Sequence, residues 1–348
     1  MTSISNKITT QDVFVAGARS TGKLHIGNYF GAIKNFVDLS NLNQNPMYFF
    51  IADLHSLTTH TQVDELKSNN ILTLASYLGC GLNPDKATIY FQSDIPAISE
   101  LYLYLNMFAN VSELERTATF KEKIQQHASN INAGLLTYPV LMAADILIHK
   151  GTKVPVGKDQ AQHIEMTRDF GNRFNHVYNT NYFPESKAFT YSDTLVNIPS
   201  LSGKGKMSKS DEDESNAIFL TDTDEIITKK IKRAVTDSGP TAPNSLLSPE
   251  VTNLITLMKL FSSQEVVDFY IKAYADATIR YGDMKKQLAE DTVQYIRPIR
   301  ENINYYLENR SILKEIAEKG AEKANISANN TIKEVREIMG LSSKNIFN

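Results

Sequence analysis

The 348-residue chain contains a single cysteine and no tryptophan. Because Cys80 stands alone, a disulfide framework within the chain is excluded, and so is a zinc or iron–sulfur site built from several cysteines. No apolar run approaches the roughly 18 residues that a membrane-spanning helix needs. The N-terminal segment MTSISNKITTQDV lacks the apolar centre of a secretory signal. We therefore expect a cytoplasmic protein in a reducing compartment, with no membrane partner.

Neither positive nor negative charge is present in large excess. The net charge is -3, with 22% charged and 42% hydrophobic residues, which is typical of an ordinary globular protein of one large or two smaller domains. Local basic clusters decide contacts with nucleic acids, however, and net charge does not. One such cluster comprises Lys229, Lys230, Lys232 and Arg233. We interpret it as a solvated face of a helix.

Short apolar runs alternate with helical patterns through the first half of the chain. The runs cover residues 13–16, 47–52, 88–91 and 153–156, and residues 28–39 and 61–78 have helical spacing between them. This order predicts parallel strands joined by right-handed crossovers, with ligands at the carboxyl ends of the strands.

Helical patterns dominate the rest of the sequence. Residues 97–150 are helical in pattern, residues 201–216 form a polar Gly- and Ser-rich loop, and amphipathic segments cover residues 251–270, 281–307 and 311–324. The predicted fold is α/β. A Rossmann-like domain with a parallel sheet covers residues 1–217 and carries a helical insertion at about 97–150. An all-helical C-terminal domain covers residues 218–348.

A glycine-rich turn follows the first predicted strand. Residues 17–23 nearly fit the phosphate-binding P-loop, but Leu24 stands where that motif needs a hydroxyl to hold magnesium. We interpret the turn as the entry to a helix that begins with His25-Ile-Gly27-Asn28. A helix start presents free N–H groups and a positive dipole end to phosphate, and Gly27 would let a nucleotide lie against the backbone.

A second motif, Lys206-Met-Ser-Lys209-Ser, lies in the polar loop. Two lysines on a Gly- and Ser-rich loop can close over a triphosphate and neutralise the charge that grows as pyrophosphate leaves. Alone, the first motif is often an ordinary helix start and the second a polar linker. Together they predict two sides of one ATP site.

The two motifs, in this order and at this separation, resemble those of the class I aminoacyl-tRNA synthetases. The segments between them resemble the tryptophan-specific members more closely than the tyrosine-specific ones. These segments are Ala52-Asp53-Leu54-His55-Ser56-Leu57-Thr58, Glu113-Leu114-Glu115-Arg116, Tyr138-Pro-Val-Leu-Met142-Ala-Ala-Asp145 and Val154-Pro-Val156-Gly157-Lys-Asp159-Gln160. The similarity runs from about residue 13 to residue 341.

The resemblance implies a tryptophan pocket. Asp145 would accept a hydrogen bond from the indole N–H, and a pocket built this way rejects phenylalanine because its carboxylate would be left unpaired. Met142, Val154 and Val156 would line the ring, with His55 at the edge of the pocket. Tyr138 and Gln160 would hold the α-amino group.

The resemblance also implies an ATP site and a two-step reaction that ends on tRNA(Trp). L-Tryptophan would attack ATP to give tryptophanyl-adenylate and pyrophosphate, helped by catalytic His25, Asn28, Lys206 and Lys209 and by Mg²⁺ that arrives with ATP. No metal would be held by the protein itself, and the enzyme would be a homodimer. The ATP-binding residues would be Arg19, Ser20, Thr21, Gly22, His25, Gly27, Asn28, Gly157, Asp159 (on the ribose), Lys206, Met207, Ser208, Lys209 and Ser210.

Two positions depart from the family pattern. The first turn usually reads Gly-x-Gln-Pro-Ser-Gly, whereas Arg19 stands here in place of the glutamine. An arginine can hold a carboxylate or a phosphate bidentately, so activity is compatible with this change. The phenylalanine that usually precedes the turn and packs on the indole is Val15 in this chain. We expect a pocket that is either looser or filled from elsewhere.

Three other functions remain as alternatives. The chain could be a tyrosine-specific enzyme, which the pairing of Met142 with Asp145 disfavours. It could be a regulatory paralogue that binds ATP or tryptophan and charges no tRNA, although both the lysine motif and residues 157–160 are intact. A nucleotidylyltransferase would lack the long helical C-terminus. His163 and Glu165 form an H-x-E pattern seen in zinc deaminases, but no P-C-x-x-C follows it.

Overall fold

The centre of the fold is a parallel β-sheet. The computed structural model describes residues 8–20, 22–42, 45–58, 62–117, 120–121, 124, 131–157, 160–189, 198–208, 213–341 and 346. Within these residues the sheet has five strands in the order β3-β2-β1-β4-β5. The strands are β1 Phe14–Ala18, β2 Met47–Ile51, β3 Thr88–Phe91, β4 Lys153–Pro155 and β5 Lys187–Phe189.

The four apolar runs in the sequence are confirmed as strands, and all neighbouring strands pair in parallel. The fifth strand, β5, was not predicted. It is only three residues long and two of its residues, Lys187 and Ala188, are exposed, so it carries no apolar run. It pairs at the edge of the sheet with β4.

The strand order reverses direction between β1 and β4. From β1 the chain adds β2 and β3 on one side, and it then returns to place β4 and β5 on the other. Ligands of open parallel sheets bind where the order reverses, outside the carboxyl ends of the strands. Arg19, Asp53, Gln92 and Gly157 follow the ends of β1, β2, β3 and β4, so they all reach this edge.

Helices cover both faces of the sheet. Residues Tyr29–Ile33 form a π-helical turn inside the predicted helix at 28–39, directly after the first motif. Among the described residues, no helix combines the length and the apolar character needed to span a bilayer. The helices are α1 Ile26–Asn28, α2 Lys34–Leu42, α3 Asp53–Ser56, α4 Val63–Gly79, α5 Pro96–Asn106, α6 Val111–Glu115, α7 Ala133–Leu147, α8 Ala161–Val177, α9 Asp224–Arg233, α10 Pro249–Phe261, α11 Gln264–Ala275, α12 Tyr281–Glu308 and α13 Arg310–Ile338.

Alternate residues of β1 and β2 pack into two separate apolar cores. Phe14 and Phe49 belong to the core that also contains the C-terminal helices, whereas Val15 and Phe50 belong to the core beneath α5, α7 and α8. This division follows from the strand period of two, which sends successive side chains to opposite faces. The helices α5, α6 and α7 occupy the segment predicted as a helical insertion.

The C-terminal helices differ from their predicted bounds. The segment 251–270 was predicted as one helix, but the chain breaks between α10 and α11 at Ser262 and Ser263. The side chain of Ser263 accepts a hydrogen bond from the Val266 N–H at 3.4 Å and so caps the start of α11. Helix α13 also continues past the predicted end at residue 324 to Ile338.

The middle of α13 packs against the edge of the sheet at β3. A Cβ atom on Gly320 would lie 1.6 Å from the Ile89 carbonyl oxygen, so only glycine permits this approach. Ala324 and Ala328 are fully buried in the same core as Val15 and Phe50. The last helix therefore joins the α/β core, and the functional division of the chain at residue 218 stays a prediction.

A buried histidine ties the sheet to α13. The ring of His149 stacks on Tyr48 with 3.9 Å between ring centres and an interplanar angle of 7°. Its Nε2 is 2.9 Å from the Tyr90 hydroxyl, and its Nδ1 is 3.1 Å from the Ser327 Oγ on α13. Burial lowers the pKa of His149 from 6.5 to about 3. The folded protein therefore keeps this ring neutral.

This burial predicts a stability that falls in mild acid. Because the pKa of His149 is depressed on folding, its contribution is present above about pH 6.5 and is lost as the pH falls towards 3. Between pH 7 and pH 5 the free energy of unfolding should drop by about 2 kcal/mol more in the wild type than in His149→Gln. Urea unfolding followed by circular dichroism at both pH values measures this difference. Equal losses in the two proteins would contradict it.

Candidate active site

A cavity of about 270 Å³ opens at the carboxyl edge of the sheet between β1 and β4. Its walls are mostly apolar, with a few polar groups, which is typical of a pocket for a small organic ligand. Six predicted tryptophan-binding residues line it, and Asp145 does not. The lining residues are Val15, Ala16, Gly17, Arg19, Phe50, Ala52, His55, Thr58, Tyr138, Met142, Ile146, Val154, Val156 and Gln160.

Asp145 lies on α7 and is fully buried behind His55. One carboxylate oxygen, Oδ2, is 2.9 Å from His55 Nε2, and the other, Oδ1, accepts from Gln92 Nε2 at 2.7 Å. Burial raises the pKa of Asp145, while the hydrogen bonds from His55 and Gln92 act in the opposite direction. Each carboxylate oxygen has two lone pairs, of which these bonds take one, and the side chain has no exposed surface. Its predicted role as the indole acceptor stays a prediction.

Gln92 is a part of this site that the sequence analysis missed. It follows β3 directly and is fully buried. Its Nε2 donates to Asp145, and its Oε1 accepts from the backbone N–H of His55 at 3.3 Å. One side chain therefore holds both the carboxylate and the residue that faces the cavity. The signal was available, because Gln92 is a polar residue placed directly after an apolar run.

A second buried histidine connects the two residues predicted to hold the α-amino group. His163 is 1% exposed; its Nε2 is hydrogen-bonded to the Tyr138 hydroxyl, and its Nδ1 lies 2.9 Å from the Gln160 Oε1. An amide oxygen only accepts, so Nδ1 donates and Nε2 accepts the phenolic proton. One histidine thus joins the Tyr138 and Gln160 side chains at the wall of the cavity.

The first motif begins helix α1, after the turn that follows β1. The Asn28 Oδ1 accepts a hydrogen bond from the His25 N–H at 3.1 Å and so closes the turn. A Cβ on Gly27 would lie 2.8 Å from the His25 ring, so the glycine is needed for that ring to fold back over the helix start. Gly22, with a φ of 84°, makes the preceding turn in a conformation that favours glycine.

The structure brings the two motifs close together. The Ile198 Cβ lies 3.7 Å from the position that a Gly27 Cβ would take. The Ile198 carbonyl in turn accepts a hydrogen bond from the Met207 N–H at 2.9 Å. Ile198 therefore lies between the helix start and the lysine motif and contacts both.

The described part of the lysine motif is anchored by its methionine. Met207 is 5% exposed and packs in the apolar core, whereas its neighbour Lys206 is exposed. Gly203 and Gly205 both adopt positive φ values and turn the chain back on itself. Ser208 is half-buried beside them. The remaining predicted ATP-binding residues Thr21, Asp159, Lys209 and Ser210 lie outside the described residues.

The other predicted nucleotide residues lie around the turn after β1 and the turn after β4. Ser20 is fully buried, and its Oγ is 3.1 Å from that of Ser56 on α3. Arg19 faces the cavity, and burial lowers the pKa of its guanidinium. The Gly157 carbonyl accepts from the Gln160 N–H at 3.0 Å.

The basic cluster at 229–233 is not wholly a solvated face, so that interpretation is wrong for Lys230. This lysine is 8% exposed and donates to the Asp222 Oδ2 at 2.7 Å and to the Ala217 carbonyl at 2.8 Å. These bonds hold the segment that pairs with the first motif, where the Ile26 N–H donates to the Ile218 carbonyl at 2.9 Å. Lys230 thus stabilises the segment to which the start of the helix is hydrogen-bonded.

Comparisons with known proteins agree with this geometry. The family model of class I tRNA synthetases (W and Y) matches residues 7–296. The chain belongs to this family. Among curated synthetases, it is 50% identical over 329 residues to the tryptophan–tRNA ligase of Porphyromonas gingivalis, covering 94% of this chain and 99% of that protein. It is 38% identical over 326 residues to the tryptophan–tRNA ligase of Clostridium tetani, covering 93% and 94%.

A solved synthetase structure has a similar fold over nearly the whole chain. The tryptophanyl-tRNA synthetase of Campylobacter jejuni, in complex with ADP and tryptophan, superposes with a TM-score of 0.84 at 34% identity. The match covers 94% of this chain and 99% of that one. The sheet and the C-terminal helices of the present chain therefore follow the architecture of its family.

The buried carboxylate gives a first prediction for the site. Asp145→Ala should lower kcat/KM for tryptophan by about a hundredfold or more, because the donors of His55 and Gln92 lose their partner and the predicted indole contact is lost. Amino-acid-dependent ATP–pyrophosphate exchange measures the effect. Asp53→Ala is the matched control, since this buried carboxylate binds Ser93 and does not line the cavity. Near wild-type efficiency of Asp145→Ala would contradict the role.

Proposed function

We propose that this chain is a tryptophan–tRNA ligase, which activates L-tryptophan with ATP and transfers it to tRNA(Trp). The observation that carries the proposal is the fully buried Asp145, braced by His55 and Gln92 next to an apolar cavity at the edge where the strand order reverses. A bicyclic ring with one N–H donor matches such a pocket. The tryptophan–tRNA ligases among its relatives support the same substrate.

In the first step the tryptophan carboxylate attacks the α-phosphate of ATP in line, and pyrophosphate leaves. The positive dipole end of the helix that starts at residues 25–28 would stabilise the phosphates, and Lys206 would neutralise the charge on the leaving group. Arg19 lies at the cavity, where it can hold the substrate carboxylate or a phosphate. Positioning and charge stabilisation suffice for this chemistry, so no protein nucleophile is required.

In the second step a hydroxyl of the terminal ribose of tRNA attacks the mixed anhydride and releases AMP. The α-ammonium group must stay fixed through both steps. Tyr138, which lines the cavity and is hydrogen-bonded to His163, would contact this group. Gln160, held through the same histidine, completes this end of the pocket.

Three further partners belong to the proposal. Mg²⁺ would arrive with ATP and be held by phosphate oxygens; within the described ranges, no group of three or more His, Cys, Asp or Glu could hold an ion.

The helices after residue 218 would contact the anticodon of tRNA. Light scattering on the purified protein tests the proposed homodimer. The cytoplasmic location stays a prediction.

The direct test of the function is ATP–pyrophosphate exchange with each of the twenty amino acids in turn, without tRNA. Exchange with tryptophan alone is the expected result, and charging of tRNA(Trp) should follow when the tRNA is added. Exchange with tyrosine would move the chain to the tyrosine-specific branch. A folded protein that binds ATP and gives no exchange with any amino acid would favour the regulatory paralogue.

The lysine motif gives a kinetic prediction. Lys206→Ala should reduce kcat more than it raises the KM for ATP, because the ammonium acts on charge that develops as pyrophosphate leaves. Pre-steady-state and steady-state exchange at saturating tryptophan separate the two parameters. The matched control is Lys204→Ala, which removes another exposed lysine of the same segment. A change confined to the KM for ATP would contradict a role in the transition state.

A further inference from the structure

We infer that Phe50 forms the aromatic wall of the indole pocket and is a specificity-determining residue of this chain. The inference rests on the proposed function, because it names the side chain that recognises the flat face of the substrate. Asp145 and its partners address only the edge of the indole that carries the N–H. The face of the ring needs a separate surface.

The register of the sheet sets the position of Phe50. Gly17 of β1 and Phe50 of β2 are direct Cα partners in the parallel pair. A Cβ on Gly17 would lie 2.4 Å from the Phe50 Cζ, and 2.5 and 2.9 Å from the two Cε atoms. The tip of the ring thus occupies the space of the missing side chain. Glycine at position 17 is what lets the ring cross from its own strand to the cavity.

The neighbouring residue on the same face of β1 is a valine, Val15. Val15 is two residues before Gly17, so its side chain points to the same side of the sheet. It is fully buried and also lines the cavity. A valine offers no flat surface to an indole. Phe50 therefore supplies from the adjacent strand the aromatic surface that β1 itself lacks.

The Phe50 ring is held in place from behind as well. Tyr90 on β3 packs against it, with 6.1 Å between ring centres and an angle of 32°. Tyr90 is in turn fixed by its hydrogen bond to the buried His149. A ring that is already immobile when the ligand arrives loses little entropy on binding. The wall is thus preorganised for a second flat ring.

The absence of tryptophan from the chain provides a clean binding assay. Free tryptophan can be excited selectively, and its emission on binding has no tryptophan background from the protein. Phe50→Leu keeps an apolar side chain and removes the flat ring, and Phe50→Ala removes both. The Kd for tryptophan should rise about tenfold in Phe50→Leu and up to about a hundredfold in Phe50→Ala, with ATP affinity unchanged in both.

Phe49→Leu is the matched control. Phe49 is the next residue of the same strand, is 2% exposed, and packs on the opposite face against Phe36 and Tyr77. Its replacement should lower the Tm about as much as Phe50→Leu does, and leave tryptophan affinity unchanged. Loss of affinity in Phe49→Leu equal to that in Phe50→Leu would show a general effect of stability and overturn the inference.

Gly17→Ala tests the contact from the other side. The added methyl group should push the Phe50 ring into the cavity and weaken tryptophan binding. In the double variant Gly17→Ala/Phe50→Leu the smaller side chain can move aside. Gly17→Ala should therefore raise the Kd for tryptophan by a smaller factor in the Phe50→Leu background than in the wild type. Strict additivity of the two changes would overturn the inference.

The same assay separates this inference from the proposed function. If the wild type binds no tryptophan and gives no exchange, the proposed function fails and the inference falls with it. If the wild type binds tryptophan and Phe50→Leu binds equally well, the function stands and the inference alone is overturned.

Discussion

The site depends on one buried carboxylate. Asp145 has no exposed surface, and an unpaired carboxylate in such a place costs on the order of several kcal/mol. His55 and Gln92 offset this cost with a hydrogen bond to each oxygen. The three residues come from α7, α3 and the turn after β3, so the bonds form only when the sheet has its native order. The proposed recognition of the substrate and the closure of the fold therefore depend on the same residues.

The topology explains why these groups can meet. Residues that follow parallel strands emerge at one edge, and the reversal between β1 and β4 opens a crevice there. The apolar α7 lines the crevice with Met142 and Ile146, and the first motif starts a helix after the turn that follows β1. Ile198 and Lys230 then connect that helix start to the lysine motif and to α9. Buried contacts thus hold the segments that carry the predicted nucleotide-binding residues in place.

Much of this arrangement could be predicted from the sequence. Four strands follow from continuous apolar runs, and most of the predicted pocket residues line a single cavity. What could not be predicted depends on pairing across the sheet. Phe50 is one apolar residue among several in β2, and only its register with Gly17 places its ring at the cavity. His163 drew attention only as part of a metal-like pattern, because its contact with Tyr138 depends on how α7 and α8 pack together, which the sequence does not show.

Two other differences have local causes. The break at residues 262–263 occurs because a serine caps the next helix, which apolar periodicity does not register. Helix α13 continues to Ile338 because small residues let it lie on β3, and the pattern of alanines alone does not name its partner. Gln92, by contrast, could have been found, since it is a polar residue directly after a predicted strand, at the edge where ligands of parallel sheets bind.

The most direct test of the account compares tryptophan with its isostere in which sulfur replaces the indole nitrogen. This analogue keeps the two fused rings and lacks the N–H donor. If the buried network at Asp145 recognises that donor, kcat/KM for adenylate formation should be lower for the analogue by at least about a hundredfold. Values within about threefold of each other would show that shape alone selects the substrate, and would contradict the central role of Asp145.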